Sequence, residues 1–134
     1  MIYTLEVSTR ERCELVDITR GVEDVVRKAG VSDGVCHVFV PHTTAAITIN
    51  ENADPSVCAD ILSSLGRLVP ANASYAHSEG NSDAHIKAAV IGSSRTIFVR
   101  GGRLALGRWQ GLFFCEFDGP RSRSLLVKIV PDNC

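Results

Sequence analysis

The sequence predicts an α+β fold: one domain spanning residues 1–134, with about three α-helices on a mixed, largely antiparallel β-sheet. Three observations carry this reading. Short runs alternate apolar and polar residues, the period of a half-buried strand. Between them lie stretches whose apolar residues recur every three or four positions, the period of a helix. The chain has 134 residues, 45% of them hydrophobic, which suits one core that needs no staples.

The elements follow in order. Residues 2–8 and 12–16 read as strands around the polar turn Ser8-Thr9-Arg10-Glu11, with Tyr3, Leu5 and Val7 on one face. Val22, Val25, Val26 and Ala29 mark a helix over 19–29, with Asp17 or Thr19 to cap its start and Gly30 past its end. Glu23–Arg27 and Asp24–Lys28 are favourable pairs on its outer side. Strand 35–40 stops at Pro41, and strand 45–50 follows. Asp54 as N-cap and Pro55 at the first helical position open a second helix, with the stripe Val57, Cys58, Ile61, Leu62 and Leu65 and an end at Gly66. Residues 69–80 form a polar loop, and a third helix runs from Asn81 or Ser82 to Ile91. Strand 95–100, a tight Gly101-Gly102 turn, a long strand 103–117, a turn at Asp118-Gly119-Pro120 and strand 124–130 complete the chain.

Composition excludes several classes. Charged residues are 22% of the chain, ordinary for a globular protein and too few for a disordered one. No apolar run approaches the roughly 18 residues of a membrane span. The start has no basic region followed by an apolar one, so no secretory signal is expected and the cytoplasm is the expected location. A net charge of −1 gives no case for nucleic acid or membrane as partners. The charge is uneven, however: the first half is acidic, and six of the arginines lie from Arg95 onward, where their forks suit phosphate or carboxylate. Five cysteines without a CxxC pair read as small buried hydrophobes, Cys36 and Cys115 above all.

Four constellations carry chemistry. Pro41-His42-Thr43-Thr44 places an imidazole and two hydroxyls just past a strand end, with Asn50, Glu51 and Asp54 downstream; Asp54 also reads simply as a helix cap. His77 and His85 bracket Gly80-Asn81 at a helix entrance, and His42 is the natural third ligand if all three share a metal. Lys87 either pairs with Asp83 one turn away or reaches an anion. Gly107, Trp109 and Gly111 share one side of the predicted long strand; Trp109 is there to stack on a flat ligand or to pack beside Phe113 and Phe117. Gln110 is a polar residue in an apolar run. Glu116, Asp118 and Arg121 place two carboxylates and a guanidinium at one rim.

Together, Pro41-His42-Thr43-Thr44, Ile49-Asn50-Glu51, His77…Gly80-Asn81…Ala84-His85, Leu106-Gly107-Arg108-Trp109-Gln110 and Glu116 to Arg121 resemble the YjbQ-like family, described as secondary thiamine-phosphate synthases. The match runs in order over nearly the whole chain. The resemblance implies a YjbQ-like α+β subunit, a homotrimer, and clefts where these His and Arg residues meet, within or between subunits. It implies a reaction that joins hydroxymethylpyrimidine pyrophosphate to a thiazole phosphate and releases pyrophosphate. On that reading His42, Glu51, Gln110 and Arg121 are the catalytic candidates. Thr43, Thr44, Asn50, Asn81, Lys87, Arg108 and Trp109 hold the phosphorylated substrates. His42, His77 and His85 hold a divalent ion, Zn or Mg. Two alternatives use the same residues: a hydrolase of phosphorylated small molecules in which Glu51 activates a metal-bound water, and a non-catalytic trimeric binding protein.

Overall fold

The computed structural model describes residues 1–133. Eight strands and three helices follow one another as β1 (Tyr3–Ser8), β2 (Glu14–Asp17), α1 (Thr19–Ala29), β3 (Gly34–Phe39), β4 (Ala45–Glu51), α2 (Pro55–Leu68), α3 (Ser82–Ile91), β5 (Ser94–Arg100), β6 (Arg103–Leu104), β7 (Gln110–Glu116) and β8 (Ser122–Pro131). They form two antiparallel sheets, one in the order β1-β8-β3-β5-β6 and the other β2-β7-β4. The α+β expectation holds, with two sheets in place of one.

The sheets face each other across the main core. Val7, Cys36, Val38, Ile97, Val99, Leu125 and Val127 come from the larger sheet, and Ala45, Ile47, Leu112 and Phe114 from the smaller. Helix α1 adds Val22, Val25 and Val26, the stripe its periodicity predicts, and it contacts strands of both sheets. Gly30 ends it in the left-handed conformation at φ 68°, as a C′ glycine does. The far face of the smaller sheet buries Ala46, Cys115 and Phe117 against Leu65 of α2 and Ala84 and Ala88 of α3. Asp54 caps α2 by accepting from the Ser56 N–H at 2.9 Å, with Pro55 at the first helical position. Burial pushes the Cys36 and Cys115 thiols up to about 12, as expected of small buried hydrophobes. Cys134 lies outside the described residues.

Four sequence expectations are corrected. β1 and β2 flank one turn but do not pair; β1 pairs with β8 and β2 with β7, because residues 9–13 carry the chain from one sheet to the other. The long strand 103–117 is two strands, β6 in the larger sheet and β7 in the smaller, and residues 105–109 make the crossing. Gly66 lies inside α2, which continues to Leu68. Arg27 pairs with Asp24 rather than Glu23, whose carboxylate turns toward the Leu104 N–H at 3.4 Å. The Gly101-Gly102 turn is as expected, both residues at positive φ, which a two-residue hairpin turn demands.

Candidate functional site

Three crossings between the sheets meet at one end of the molecule: residues 9–13, 40–44 and 117–121. A crossing removes the chain from its ladder and leaves backbone groups to be satisfied. Thr9 and Arg121 stitch two of the crossings, the Thr9 N–H donating to the Arg121 carbonyl at 3.1 Å and the Arg121 N–H to Thr9 Oγ1 at 2.9 Å. The Val40 N–H donates to the Ser93 carbonyl at 2.8 Å, which fixes the third.

Beneath this corner lies a buried ion pair. Glu116 is fully buried and Arg123 4% exposed, and the guanidinium grips both carboxylate oxygens. Thr9 Oγ1 donates to the Glu116 carboxylate at 2.8 Å, and the Asp118 N–H donates to it at 3.0 Å. Burial alone would raise the Glu116 pKa; the bonds from Arg123, Asp118 and Thr9 outweigh it and hold the group below the usual carboxylate range. Arg123 also donates to Thr44 Oγ1 at 2.8 Å. Glu116 is therefore not a rim carboxylate, and Thr44, 5% exposed, is part of the support. Thr43 is the member of that pair whose side chain is exposed.

His42 stands on this support. Its Nε2 accepts from the Ser124 N–H at 3.0 Å, and its ring meets Phe114 edge-on at 6.4 Å. Burial, then the charge of Arg123, lowers its pKa, so the ring is neutral near pH 7. Because Nε2 is the acceptor, the proton sits on Nδ1. His42 divides two openings: one of about 530 Å³ lined by Phe39 to Thr44, Ser93, Arg121 and Arg123, and one of about 270 Å³ shared with His85. Arg121 is half exposed, held by the Asp118 carbonyl at 2.9 Å and carboxylate at 3.1 Å.

The second support lies beside it on α3. Asp83 is fully buried and takes both oxygens to Arg12 at 3.0 Å, with Lys87 at 3.4 Å. The bonds from Arg12 hold its pKa down against burial. Lys87, 5% exposed, therefore pairs with Asp83, the first of its two expected roles. The Asn81 side chain donates to Asp118 at 3.0 Å, while its Oδ1 is buried without a partner among the described residues.

The remaining candidates lie elsewhere. Asn50 and Glu51 end β4, and Gln110 opens β7 as the partner of Glu51 in the ladder. From Ala45 to Glu51 the strand advances about 20 Å at roughly 3.3 Å per residue. The single pocket expected for His42, Glu51, Gln110 and Arg121 is thus divided between two ends of the smaller sheet within one chain. Trp109 is 55% exposed on the 105–109 crossing, with the Arg108 guanidinium 4.9 Å from its ring centre, and does not pack beside Phe113 and Phe117. Gln110 is explained by local structure, since its Oε1 accepts from the Gly107 N–H at 2.7 Å and closes that crossing.

The histidines fit a shared metal only in part. His77 and His85 lie ring to ring at 5.5 Å, edge to face. Among the described residues no three His, Cys, Asp or Glu side chains are grouped to hold a metal in one chain. His42 Nε2 is already engaged, and metal on Nδ1 would require a tautomer that turns an N–H onto the Ser124 N–H.

Arg12, Thr9 and Arg123 were not among the candidates read from the sequence, and Asp83 was named there only as a partner for Lys87. Thr9 and Glu116 lie 107 positions apart, and Arg12 and Asp83 lie 71 apart. No local spacing marks such partners; the one available signal was the pairing of carboxylates with arginines in a chain of near-zero net charge.

The fold, two facing antiparallel sheets with helices outside the smaller, defines the class: a small α+β protein with a charged corner built from sheet crossings. The profile of the family described as "UPF0047 protein YjbQ-like" matches residues 3–132, and the chain belongs to that family. It is 52% identical over 133 residues to the UPF0047 protein MJ1081 of Methanocaldococcus jannaschii, spanning 99% of this chain and 96% of that one. It is 46% identical to the UPF0047 protein YugU of Bacillus subtilis, over 97% and 99%. Among solved structures, an uncharacterized yjbq/upf0047 family protein of Clostridium acetobutylicum superposes with a TM-score of 0.94 at 52% identity, covering 96% of this chain and 99% of that one. A YbjQ-like protein of unknown function from Sulfolobus solfataricus gives 0.94 at 38% identity, over 98% and 97%. Among the described residues no helix is long and apolar enough to cross a membrane.

Proposed function

We propose that the His42 corner is the active site of a group-transfer enzyme acting on a phosphorylated small molecule, with thiamine-phosphate synthesis as the specific reaction. One observation carries the reading: a neutral imidazole whose Nδ1 proton has no partner among the described residues shares a cavity of about 530 Å³ with the exposed Thr43 and the half-exposed Arg121. Departure of pyrophosphate from a heterocyclic methylene builds negative charge on oxygen. Donors fixed in place stabilise that charge without reorganising. Arg121 supplies a guanidinium, Thr43 a hydroxyl and His42 a neutral N–H donor. The thiazole nitrogen is itself the nucleophile, so the protein needs none. Glu116, Arg123 and Thr44 keep these donors in position.

The test supplies both substrates to the purified protein over a series of divalent ions and follows thiamine phosphate. The expected result is turnover that falls at least about a hundredfold in His42→Ala or Arg121→Ala. Absence of product from the folded wild-type protein under every ion sinks the reaction. The divalent ion remains part of the proposal through His77 and His85, with stoichiometric zinc or magnesium lost in the double alanine variant as its check.

The proposal includes assembly into a homotrimer, which sets the Glu51–Trp109 end of one subunit within reach of another's corner. The outer face of the larger sheet supports it, leaving Phe39, Phe98 and Val130 exposed at 45%, 66% and 40%. Sedimentation of wild type and Phe98→Glu tests this; a wild-type monomer at assay concentration counts against it.

A further inference from the structure

An opening larger than the two beside His42 lies away from that corner. A groove of about 700 Å³ runs between α1 and the β5–β6 hairpin, lined by Asp17, Thr19, Arg20, Glu23, Arg27, Asn52, Gly102 and Arg103. None of these residues belongs to the corner described above.

The charges in this groove are unequal in their commitments. Asp17 is engaged, accepting from the Thr19 N–H at 2.9 Å and its hydroxyl at 2.6 Å, with the Asn52 amide at 3.4 Å. The Glu23 carboxylate takes the Leu104 N–H. Arg27 is paired with Asp24. The Arg20 and Arg103 side chains make no hydrogen bond or ion pair among the described residues, so two uncommitted guanidiniums line the groove, while its carboxylates Asp17 and Glu23 are held by neutral N–H and O–H donors. Arg20 and Arg27 are two turns apart on one helix face, about 10 Å along the axis, and Arg103 comes from the opposite wall. Guanidinium groups on two walls of a narrow groove suit a compact ligand with several anionic oxygens, since each fork can take two of them.

We propose that this groove is a second binding site, distinct from the His42 cavity, for the oligophosphate group of a small molecule, with Arg20 and Arg103 as its principal contacts. The backbone fixes both: Arg20 sits on a helix anchored to the two sheets, and Arg103 follows a glycine turn tied down by the Gly102 N–H to the Ser32 carbonyl at 2.8 Å. The site stands whether or not the His42 cavity is a transferase.

The test titrates inorganic tripolyphosphate into the isotope-labelled full chain at low salt and follows backbone amide resonances. Expected are saturable shifts at Thr19, Arg20, Asn52, Gly102 and Arg103. Affinity should weaken about tenfold or more in the double variant Arg20→Ala/Arg103→Ala. The double variant Lys28→Ala/Lys128→Ala removes the same charge outside the groove and is expected to bind as wild type does. Shifts confined to Pro41–Thr44 and Arg121 would overturn the proposal. So would unchanged affinity in the arginine variant, or an equal loss in the lysine variant.

Discussion

At one end of the β2-β7-β4 sheet, Glu116, Arg123, Thr9 and Thr44 are buried and bonded to one another under His42. At the other end, about 20 Å along β4, Glu51 is half-buried, and Asn50, Gln110, Arg108 and Trp109 are exposed. Both ends are rich in the same residue types. At the first, burial makes each charge depend on its partner. At the second, solvent stands in for partners. Polar sequence motifs alone do not separate a built site from a solvated edge; desolvation does.

The largest expected effect is at the buried pair. Glu116→Ala leaves the Arg123 guanidinium buried and unpaired, a loss of about 3–5 kcal/mol, read from the urea midpoint. A smaller loss than in Arg108→Ala at the exposed end would break the comparison.

Acid should act through the same end. Glu116 and Asp83 are held below their unfolded pKa values, so protonation favours the unfolded chain. Their contribution is complete above about pH 5 and drains as pH falls through the ordinary carboxylate value of about 4. Urea midpoints across this range should drop steeply in wild type and less steeply in Glu116→Gln/Asp83→Asn. Equal slopes would show that other carboxylates dominate.

His42 sharpens the same contrast. Its lowered pKa means that its contribution is full above about 6.5 and is lost as pH falls below that value. Nitrogen-resolved magnetic resonance should find its proton on Nδ1 at neutral pH and its midpoint below the ordinary histidine value of about 6.5. A midpoint at or above that value would contradict the burial argument.

The smallest effects belong to the exposed end. Arg108→Ala and Trp109→Ala should each change stability by less than about 0.5 kcal/mol. Trp109 is the single tryptophan, so emission reports on it alone. Emission should be red-shifted and open to acrylamide in a free subunit, and protected where assembly covers it.

Much of the fold was legible in the chain. The stripe of α1, the Gly30 and Gly101-Gly102 conformations and the Asp54-Pro55 start of α2 all follow from local chemistry. Strand positions were readable too, since alternation marks them. The break at 105–109 was not, because Leu106, Trp109 and Leu112 keep an apolar character across a stretch that changes sheets. Of the candidate site, His42, Thr43 and Arg121 were found and share a cavity. Thr44 and Lys87 were found as well, but they sit in the support.

The sequence by itself determined the helices, the turns, most strands and the family, because capping, glycine conformation and apolar period act within a few residues. Tertiary structure alone decided that there are two sheets, which carboxylates meet which arginines, and that the polar motifs separate to opposite ends. Those outcomes depend on contacts between residues tens of positions apart, and on burial, which acts only once the sheets have closed.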